Sequence, residues 1–302
     1  MVGRAQFAHS LHAGGSFREF LDSLPQTLAA ADVREIARRI ASSRMHNRPL
    51  LLMMGAHPIK VGLNPIIRDL IRDGAISALA TNGAAIIHDF ELAFAGRTSE
   101  DVGAGLADGS FGMAEETGAF LNAAAQTAAS EGAGLGEVIG REIAQSRFKF
   151  RDISIFAAAH QVGASATVHV TLGADIIHMH PAADGAAIGQ ASMTDFRRLA
   201  AVVAGLSGGV VINLGSAVVM PEVFLKALNL ARNLGRKVKN FTAVDMDFIR
   251  QYRPRMNVLE RPTRDGGRAF ALTGHHELMF PLLAAAIREE LARRRARRAA
   301  AD

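Results

Sequence analysis

Three ionisable residues, His88, Asp89 and Glu91, lie close together in one stretch of this sequence. They follow the apolar run Ile76–Ala80 and an Asn-Gly pair, which is the pattern of a strand, a glycine turn and a helix. Imidazole titrates near neutrality, so a histidine beside carboxylates is suited to accept a proton from a substrate amine. The same residues would equally serve to cap and solubilise a surface helix. Proton transfer and helix solubility are therefore both open interpretations of this cluster.

The turn before this helix has the features of a phosphate site. Gly83 has no Cβ and lets the backbone approach a ligand closely, while the free N–H groups of a helix start attract a pyrophosphate. Gly55, Gly62 and Gly215 also follow or neighbour predicted strand ends, where a doubly wound sheet binds its ligands. Each glycine is also an ordinary turn residue, and the G-x-G-x-x-G fingerprint is absent.

Further carboxylates and one lysine extend the candidate site. Asp245 and Asp247 follow a strand predicted to end at Ala243, where they would bind a ribose diol or a substrate ammonium, or cap a helix. Lys60 lies in the turn after the first strand and is expected to pair with a phosphate. A desolvated lysine that acts as a nucleophile is the alternative for this position.

Several histidines allow a different interpretation, a divalent-metal site. His178 and His180 are separated by two, so they would share one face of the predicted strand Asp175–Met179. Histidine and carboxylate side chains from a second, distant segment would have to complete the site. The members of this alternative site are His178, His180, His275, His276 and Glu277. It would belong to a metal-dependent hydrolase or isomerase.

Composition excludes several classes of function. The chain has 302 residues, is 49% hydrophobic and contains no cysteine, which excludes disulfides, thiolate metal sites and a cysteine nucleophile. Much of the net charge of +5 lies between Arg288 and Asp302, where six arginines face three acids. We interpret this as a solvated helix end and expect no nucleic-acid partner. No apolar run is long enough to span a membrane and no secretory signal is present, so we expect a cytoplasmic protein.

The elements that position these residues alternate between strand and helix. Residues 1–45 are predicted as a helical arm with helices at Ser16–Leu21 and Asp32–Ala41, and residues 46–302 as a single α/β domain. The alternation predicts a doubly wound, mostly parallel sheet with helices on both faces. Residues 96–112 are predicted as a glycine-rich, ligand-covering loop, Thr194–Ala204 as a helix and 244–274 as largely irregular. The predicted strands are Leu50–Met54, Ile76–Ala80, Ala166–Thr171, Asp175–Met179, residues 209–215 and Val238–Ala243.

Five blocks, in order between about Leu50 and Ala286, resemble deoxyhypusine synthase, an NAD-dependent family with a doubly wound fold. The blocks read LLMMGAHPIKVGLNPIIRDLI, GAISALATNGAAIIHDFELAF, GGVVINLGSAVVMPEVFLKALNLARN, NFTAVDMDF and LMFPLLAAAI. The segment TNGAAIIHDFE is also similar to the GNALAVHDIE of a related ornithine cyclodeaminase domain. The resemblance implies NAD as cofactor and a homotetramer with active sites at dimer interfaces.

The sequence departs from this family at its covalent step. The family's imine-forming lysine falls within YRPRMNVLERP, where the nearest counterparts are Arg261 and Pro262. Met220 and Glu222 replace the family's lysine and active-site histidine in the third block. We therefore expect an enzyme other than a true deoxyhypusine synthase. It would use NAD to abstract hydride from a small amine or amino acid, with transfer, elimination or cyclisation to follow.

The resemblance and the residues together define the expected site. The substrate residues would be His88, Asp89, Glu91 and Glu222. The NAD-binding residues would be Gly55, His57, Lys60, Thr81, Asn82, Gly83, Asp175, Gly215, Ser216, Thr242, Ala243 and Asp247. A nucleotide-binding regulatory protein that kept the cofactor cleft without catalysis is the non-enzymatic alternative.

Overall fold

The chain folds around one parallel sheet in a computed structural model that describes residues 3–98 and 102–300. Its first strand is the run LLLMM, in which all five residues are buried, as expected for a strand covered on both faces. The strands are β1 (Leu50–Met54), β2 (Ala78–Asn82), β3 (Ser165–His169), β4 (Val210–Leu214), β5 (Thr242–Asp247) and β6 (Arg268–Thr273). Their order is β3-β2-β1-β4-β5-β6 and every pair is parallel. This confirms the predicted α/β fold class.

Helices cover both faces of the sheet and connect its strands. Those before β3 are α1 (Phe17–Ser23), α2 (Leu28–Met45), α3 (His57–Lys60), α4 (Asn64–Arg72), α5 (Gly83–Ala95), α6 (Val102–Asp108), α7 (Glu115–Glu131), α8 (Leu135–Gln145) and α9 (Ile155–Val162). The later ones are α10 (Gly185–Ala204), α11 (Val219–Asn233), α12 (Tyr252–Pro254), a π-helical segment (Arg255–Glu260), α13 (Arg261–Thr263) and α14 (His276–Ala299). Among the described residues, no helix is long and apolar enough to cross a membrane.

Alternate residues of β1 contribute to two separate hydrophobic cores. Leu50, Leu52 and Met54 belong to the larger core, with residues of α2, α4, α5, α7, α8, α9 and α14. Leu51 and Met53 belong to the smaller core on the other face, with residues of α10 and α11. This alternation follows from the two-residue period of a strand. Because all six strands are parallel, their carboxyl ends lie at one edge of the sheet.

The predicted N-terminal arm contributes to the larger core. α2 packs against α14 and against several strands, and its Val33, Ile36 and Ile40 are buried. The first part of the arm is tied down by backbone bonds, from His9 N–H to the Ser23 carbonyl at 3.0 Å for example.

One predicted strand, Asp175–Met179, is wrong. Residues Ile176–Met179 form a single 3₁₀ turn, in which the His178 N–H donates to the Asp175 carbonyl at 3.1 Å. The His178 ring closes the turn further, since its Nδ1 accepts from the Asp175 N–H at 3.3 Å. The local bonds use the backbone groups that a strand would offer to its neighbour.

Other element boundaries also differ from the predictions, and β2, for example, is Ala78–Asn82 rather than Ile76–Ala80. The strand predicted at Val238–Ala243 begins and ends later, as β5 (Thr242–Asp247), because Asn240 adopts a left-handed backbone conformation (φ 56°) just before it. α10 begins at Gly185, nine residues before the predicted Thr194, because the Asp184 side chain caps it by accepting from Ala186 N–H at 2.8 Å. The loop predicted at 96–112 contains α6, and residues 99–101 of that loop lie outside the described part.

Candidate active site

The strand order reverses between β1 and β4, and in doubly wound sheets this is where a ligand crevice forms. Gly55 and Gly215 follow these two strands directly. A Cβ on Gly55 would lie 3.2 Å from the Gly215 carbonyl oxygen, and Gly215 has a left-handed φ of 67°. Gly215 is thus required by its backbone conformation, and Gly55 lets the two turns approach each other closely.

A cavity of about 220 Å³ opens beside the first turns of α5. Its ionisable residues are Lys60 and His88, which can carry positive charge, and Glu91 and Asp175, which can carry negative charge. The remaining walls come from Ala84, Ile87, Thr98, Val102, Phe111, Ala174 and Ile176. A small cavity with apolar walls and both signs of charge suits a small zwitterionic ligand.

His88 and Glu91 are three residues apart on α5, so they share one face of the helix. The His88 Nδ1 lies 3.1 Å from Glu91 Oε2, and the two side chains are only 19% and 5% exposed. A proton on Nδ1 would be donated to the carboxylate. The other ring nitrogen, Nε2, then carries a lone pair that can accept a proton.

Asp89 is not brought to this cavity. It is fully buried and accepts hydrogen bonds from Asn64 Nδ2 at 2.9 Å, from the Ile155 N–H at 2.9 Å and from the Ser154 hydroxyl. Burial raises the pKa of Asp89 to about 6 against the lowering effect of these bonds. The carboxylate therefore joins α4, α5 and the start of α9, which is a structural role.

Glu222 also lies away from the cavity. It forms ion pairs with Lys226 and, at 3.2 Å, with Arg253 Nε, and it accepts from Asn257 Nδ2 at 2.8 Å. The hydrogen bond from Lys226 is the main reason that its pKa is lowered. A carboxylate held by two cations is a poor proton acceptor, and these contacts engage Glu222 outside the cavity.

Unsatisfied polar atoms mark the carboxyl end of β2. Asp175 Oδ2 and Asn82 Oδ1 are buried and have no hydrogen-bond partner among the described residues. Asp175 lies directly against the start of α5, because a Cβ on Gly83 would be 1.9 Å from Asp175 Oδ2. Burial raises the pKa of this carboxyl group. Buried acceptors without partners in a native structure call for a ligand donor or a bound water.

A pair of histidines, His57 and His276, lies at the point between β1 and β4 where the strand order reverses. His57 Nδ1 is 2.8 Å from His276 Nδ1. The His276 ring is buried, and its Nε2 lies 3.3 Å from the Met246 carbonyl and 3.6 Å from Asp247 Oδ1. Gly215 makes room for this ring, since a Cβ there would be 2.4 Å from His276 Cε1.

Other predicted cofactor residues are placed differently. Thr242 and Ala243 begin β5 and so lie toward the amino end of the strand, away from the edge that carries the cavity. The prediction placed them at the carboxyl end because it ended the strand at Ala243. Ser216 precedes α11, and its hydroxyl accepts from Met220 N–H at 3.2 Å. Thr81 is buried within β2, and its hydroxyl donates to the Asn82 carbonyl at 3.1 Å.

Asp245 and Asp247 both lie on β5, but they have different partners. Asn213 Nδ2 donates to Asp245 Oδ1 at 2.8 Å, and burial raises the pKa of Asp245 to about 6. Asp247 accepts from the Phe248 N–H at 2.8 Å and lies closer to the strand end. Of the two, only Asp247 adjoins the His276 ring.

The predicted metal site is not assembled in the described part of the chain. Its residues are engaged separately: His180 Nε2 lies 3.1 Å from Glu115 Oε2, and the exposed His275 ring stacks on Phe248. Among residues 3–98 and 102–300, no group of three or more His, Asp or Glu side chains is placed to hold a metal ion. The interpretation failed because it relied on a strand at Asp175–Met179, which is a turn.

The sequence did not single out the apolar wall of the cavity, formed in part by Val102, Phe111 and Ile176. The first two lie in the glycine-rich stretch that was predicted to cover a ligand, which is the one signal that pointed to them. Nothing in the sequence relates Ile176 to α5, because only the folded turn brings it there.

No protein-family model and no curated protein matches this sequence, whereas many solved structures share its fold. The cyanobacterial arginine dihydrolase ArgZ of the ornithine–ammonia cycle superposes with a TM-score of 0.54 and 13% identity, over 85% of this chain and 31% of that one. A putative deoxyhypusine synthase from Entamoeba histolytica has a TM-score of 0.52 and 13% identity, over 90% and 93%.

Two further neighbours have similar scores. AgrE, solved as a ternary complex with ornithine and NAD+, has a TM-score of 0.51 and 13% identity, over 87% of this chain and 33% of AgrE. A putative LOR/SDH protein from Methanococcus maripaludis has a TM-score of 0.52 and 14% identity, over 89% and 71%. The chain thus spans about a third of ArgZ and AgrE. At these identities the comparisons establish the deoxyhypusine synthase-like fold.

Proposed function

We propose that this protein is an NAD-dependent enzyme that oxidises a small amino acid or amine. The observation that carries the proposal is the small cavity at the carboxyl edge of the sheet, where His88, Lys60, Glu91 and Asp175 converge. One neighbour in fold, AgrE, was solved as a complex with ornithine and NAD+, which supports this class of reaction.

The residues at the strand ends fit a dinucleotide. The turns at Gly55 and Gly215 follow the two strands between which the strand order reverses, where a pyrophosphate would pass. Asn82 and Asp175 have unsatisfied buried oxygens that would accept from ribose hydroxyls. When bound, NAD supplies the hydride acceptor, and the protein contributes binding and orientation.

The cavity residues would bind and deprotonate the substrate. Lys60 would pair with a substrate carboxylate, and Glu91 with its ammonium. An amine must lose a proton before its carbon can give up hydride, and His88 Nε2 would accept that proton. Glu91 holds the His88 ring through Nδ1 and so fixes which nitrogen is free.

Titration calorimetry with NAD, followed by NADH formation with a panel of amino acids and diamines that includes ornithine, tests this proposal. We expect NAD to bind and at least one compound to reduce it. Lys60→Gln should raise KM for amino acids more than for diamines without a carboxylate. Absence of NAD binding would contradict the proposed function, and binding without turnover on any compound would favour the regulatory alternative.

The assembly and location belong to the same proposal. The family resemblance implies a homotetramer, which light scattering would detect as four times the chain mass of 32.1 kDa. A cytoplasmic location and a small-molecule partner, without nucleic acid or membrane, complete the proposal.

A further inference from the structure

The histidine pair at the reversal point has only one arrangement of protons that satisfies its neighbours. The Met246 carbonyl can only accept a hydrogen bond, and it lies 3.3 Å from His276 Nε2. Asp247 Oδ1, at 3.6 Å from the same nitrogen, also favours a proton there. His276 Nε2 therefore carries a hydrogen.

The second nitrogen of His276 then depends on the charge of the ring. Burial lowers the pKa of His276, and the ring stands at the start of α14, where a helix disfavours positive charge. The neutral ring has its hydrogen on Nε2 and a lone pair on Nδ1. His57 Nδ1, 2.8 Å away, must donate to that lone pair.

The donation by Nδ1 determines which nitrogen of a neutral His57 ring carries the hydrogen. With its hydrogen on Nδ1, the neutral ring has a lone pair on Nε2, and no described residue bonds to that nitrogen. His57 is exposed, three residues beyond the end of β1, and its ring lies tilted against Phe248 with centroids 5.8 Å apart. The arrangement of a carboxylate, a buried oriented ring and an outer histidine is the geometry by which proteins direct a proton acceptor.

We infer that His57 is a second proton acceptor of this protein, located at the reversal point between β1 and β4, with His276 and Asp247 as its positioning residues. The ligand would carry an ammonium or hydroxyl group and lie beside the exposed His57 ring, in the crevice expected where the strand order reverses. Its X–H bond breaks, an N–H bond forms at His57 Nε2, and the ring takes the positive charge. This step is separate from the cavity at His88; it relies on the proposed function only in expecting a ligand in the crevice.

Long-range ¹H–¹⁵N spectra of the histidine rings in the ligand-free protein test the proton arrangement directly. His57→Gln and His276→Gln assign the two rings. We expect the His276 hydrogen on Nε2 and the His57 hydrogen on Nδ1 near neutral pH. A neutral His57 with its hydrogen on Nε2 would overturn the inference, whatever the protein binds.

Carbethoxylation by diethyl pyrocarbonate, followed by peptide mass spectrometry, tests the accepting nitrogen. His57 should react about threefold or more faster than the exposed His160 of α9, because the hydrogen bond donated by its Nδ1 makes Nε2 more nucleophilic. A rate ratio of about three corresponds to the net free energy of one weak hydrogen bond. His276→Phe removes the acceptor of the His57 hydrogen and should bring the two rates together, whereas equal rates in the unaltered protein would overturn the inference.

Adding NAD separates this inference from the proposed function. NAD should slow modification of His57 and leave His160 unchanged. If NAD does not bind at all, the proposed function fails, while the proton arrangement and the reactivity still decide the inference. If NAD binds and His57 remains as reactive as before, His57 is outside the crevice and the inference is wrong.

Discussion

His88 and Asp89 are neighbours in the sequence, but they have different surroundings. Successive residues of a helix point about 100° apart, so one can face a cavity while the next faces the core. His88 lines the cavity, whereas Asp89 is buried against Asn64 and Ser154. A cluster of ionisable residues in sequence is thus divided by helix geometry into a candidate proton acceptor and a structural carboxylate.

The role of His88 predicts a specific loss of turnover. His88→Gln keeps a hydrogen-bonding group but cannot accept a proton, so turnover should fall by about 10²–10⁴. NAD affinity should change little, because His88 lies in the cavity rather than at the glycine turns. Steady-state kinetics and titration calorimetry measure the two quantities, and His160→Gln on the exposed side of α9 is the control. Full turnover in His88→Gln would leave this histidine with a structural role.

The absence of a lysine in YRPRMNVLERP predicts that no imine forms there. Borohydride added with spermidine and NAD should leave no covalent adduct, because the π-helical segment and α13 offer only arginines as cations. Intact-protein mass spectrometry is the measurement. An adduct on Lys60, which lines the cavity, would instead show that covalent chemistry has moved to that residue.

Part of this site could be predicted from the sequence, because some of its residues are placed by local helix geometry and others only by long-range contacts. Residues fixed by local geometry, His88 and Glu91 on one helix face and Gly83 at its start, could be found from spacing alone. Asp175 came from the family resemblance, and its unsatisfied oxygen became visible only in the fold. The His57–His276 pair joins residues 219 positions apart, and no periodic pattern encodes such a contact.

At the scale of elements, the junction of β2 and α5 depends on a glycine. A Cβ on Gly83 would come within 1.9 Å of Asp175 Oδ2 and 2.7 Å of its Cγ. The clashing atoms belong to the Asp175 side chain, whose Oδ2 has no partner among the described residues, so this side chain would have to rotate away from its observed position. Gly83 therefore determines where Asp175 lies as much as how closely a ligand approaches.

Gly83→Ala should displace Asp175 and weaken NAD binding. Overpacking of this kind costs about 1–3 kcal/mol of unfolding free energy. The matched control is Gly189→Ala within α10, where nothing lies within 4 Å of the added methyl group and stability should rise by about 0.5–1 kcal/mol. Urea unfolding and titration with NAD measure both effects. Unchanged NAD affinity in Gly83→Ala would place the cofactor elsewhere.

Elements that are buried on both sides were the most predictable. The run Leu50–Met54 is wholly apolar and was placed correctly. β6 is an edge strand, and most of its residues are exposed or half-buried, so its sequence carries no continuous apolar signal. It lies in the stretch predicted as irregular. Pairing with β5, rather than local pattern, makes it a strand.

At the scale of the whole molecule, one buried carboxylate connects three elements. Asp195 of α10 is fully buried and accepts from the Gly136 N–H of α8 at 2.9 Å and the Val168 N–H of β3 at 2.8 Å. Its other oxygen, Oδ1, has no partner among the described residues. Burial raises the pKa of Asp195 to about 7.

This pKa predicts a pH dependence of stability. The folded protein holds the Asp195 proton more tightly than the unfolded chain, whose aspartates titrate near about 3.9. Its stabilising contribution is complete below that value and is lost as pH rises through about 7. Asp89 and Asp245 act in the same direction, whereas His169, with its pKa lowered to about 4 by burial, acts oppositely.

Comparing Asp195→Asn with the unaltered protein isolates the Asp195 contribution. The free energy of unfolding of the unaltered protein, relative to the variant, should decrease between about pH 4 and pH 7. Urea unfolding at a series of pH values measures this difference. Thr194→Ser, at the neighbouring position, removes no ionisable group and should shift the curve without changing its shape. A constant difference across the range would show that Asp195 titrates normally.

The central strand β1 pairs with β2 on one side and with β4 on the other, where Leu50 lies opposite Val210. During synthesis on the ribosome, β1 emerges long before the residues that cover its second edge. Pairing over such a separation is slow, because a long loop must close before the contact forms. Until then, LLLMM presents an apolar strand with unpaired backbone groups, which other chains can bind. The nascent chain should therefore depend on chaperones until β4 has left the exit tunnel, and premature termination before Val210 should yield aggregates rather than a folded fragment.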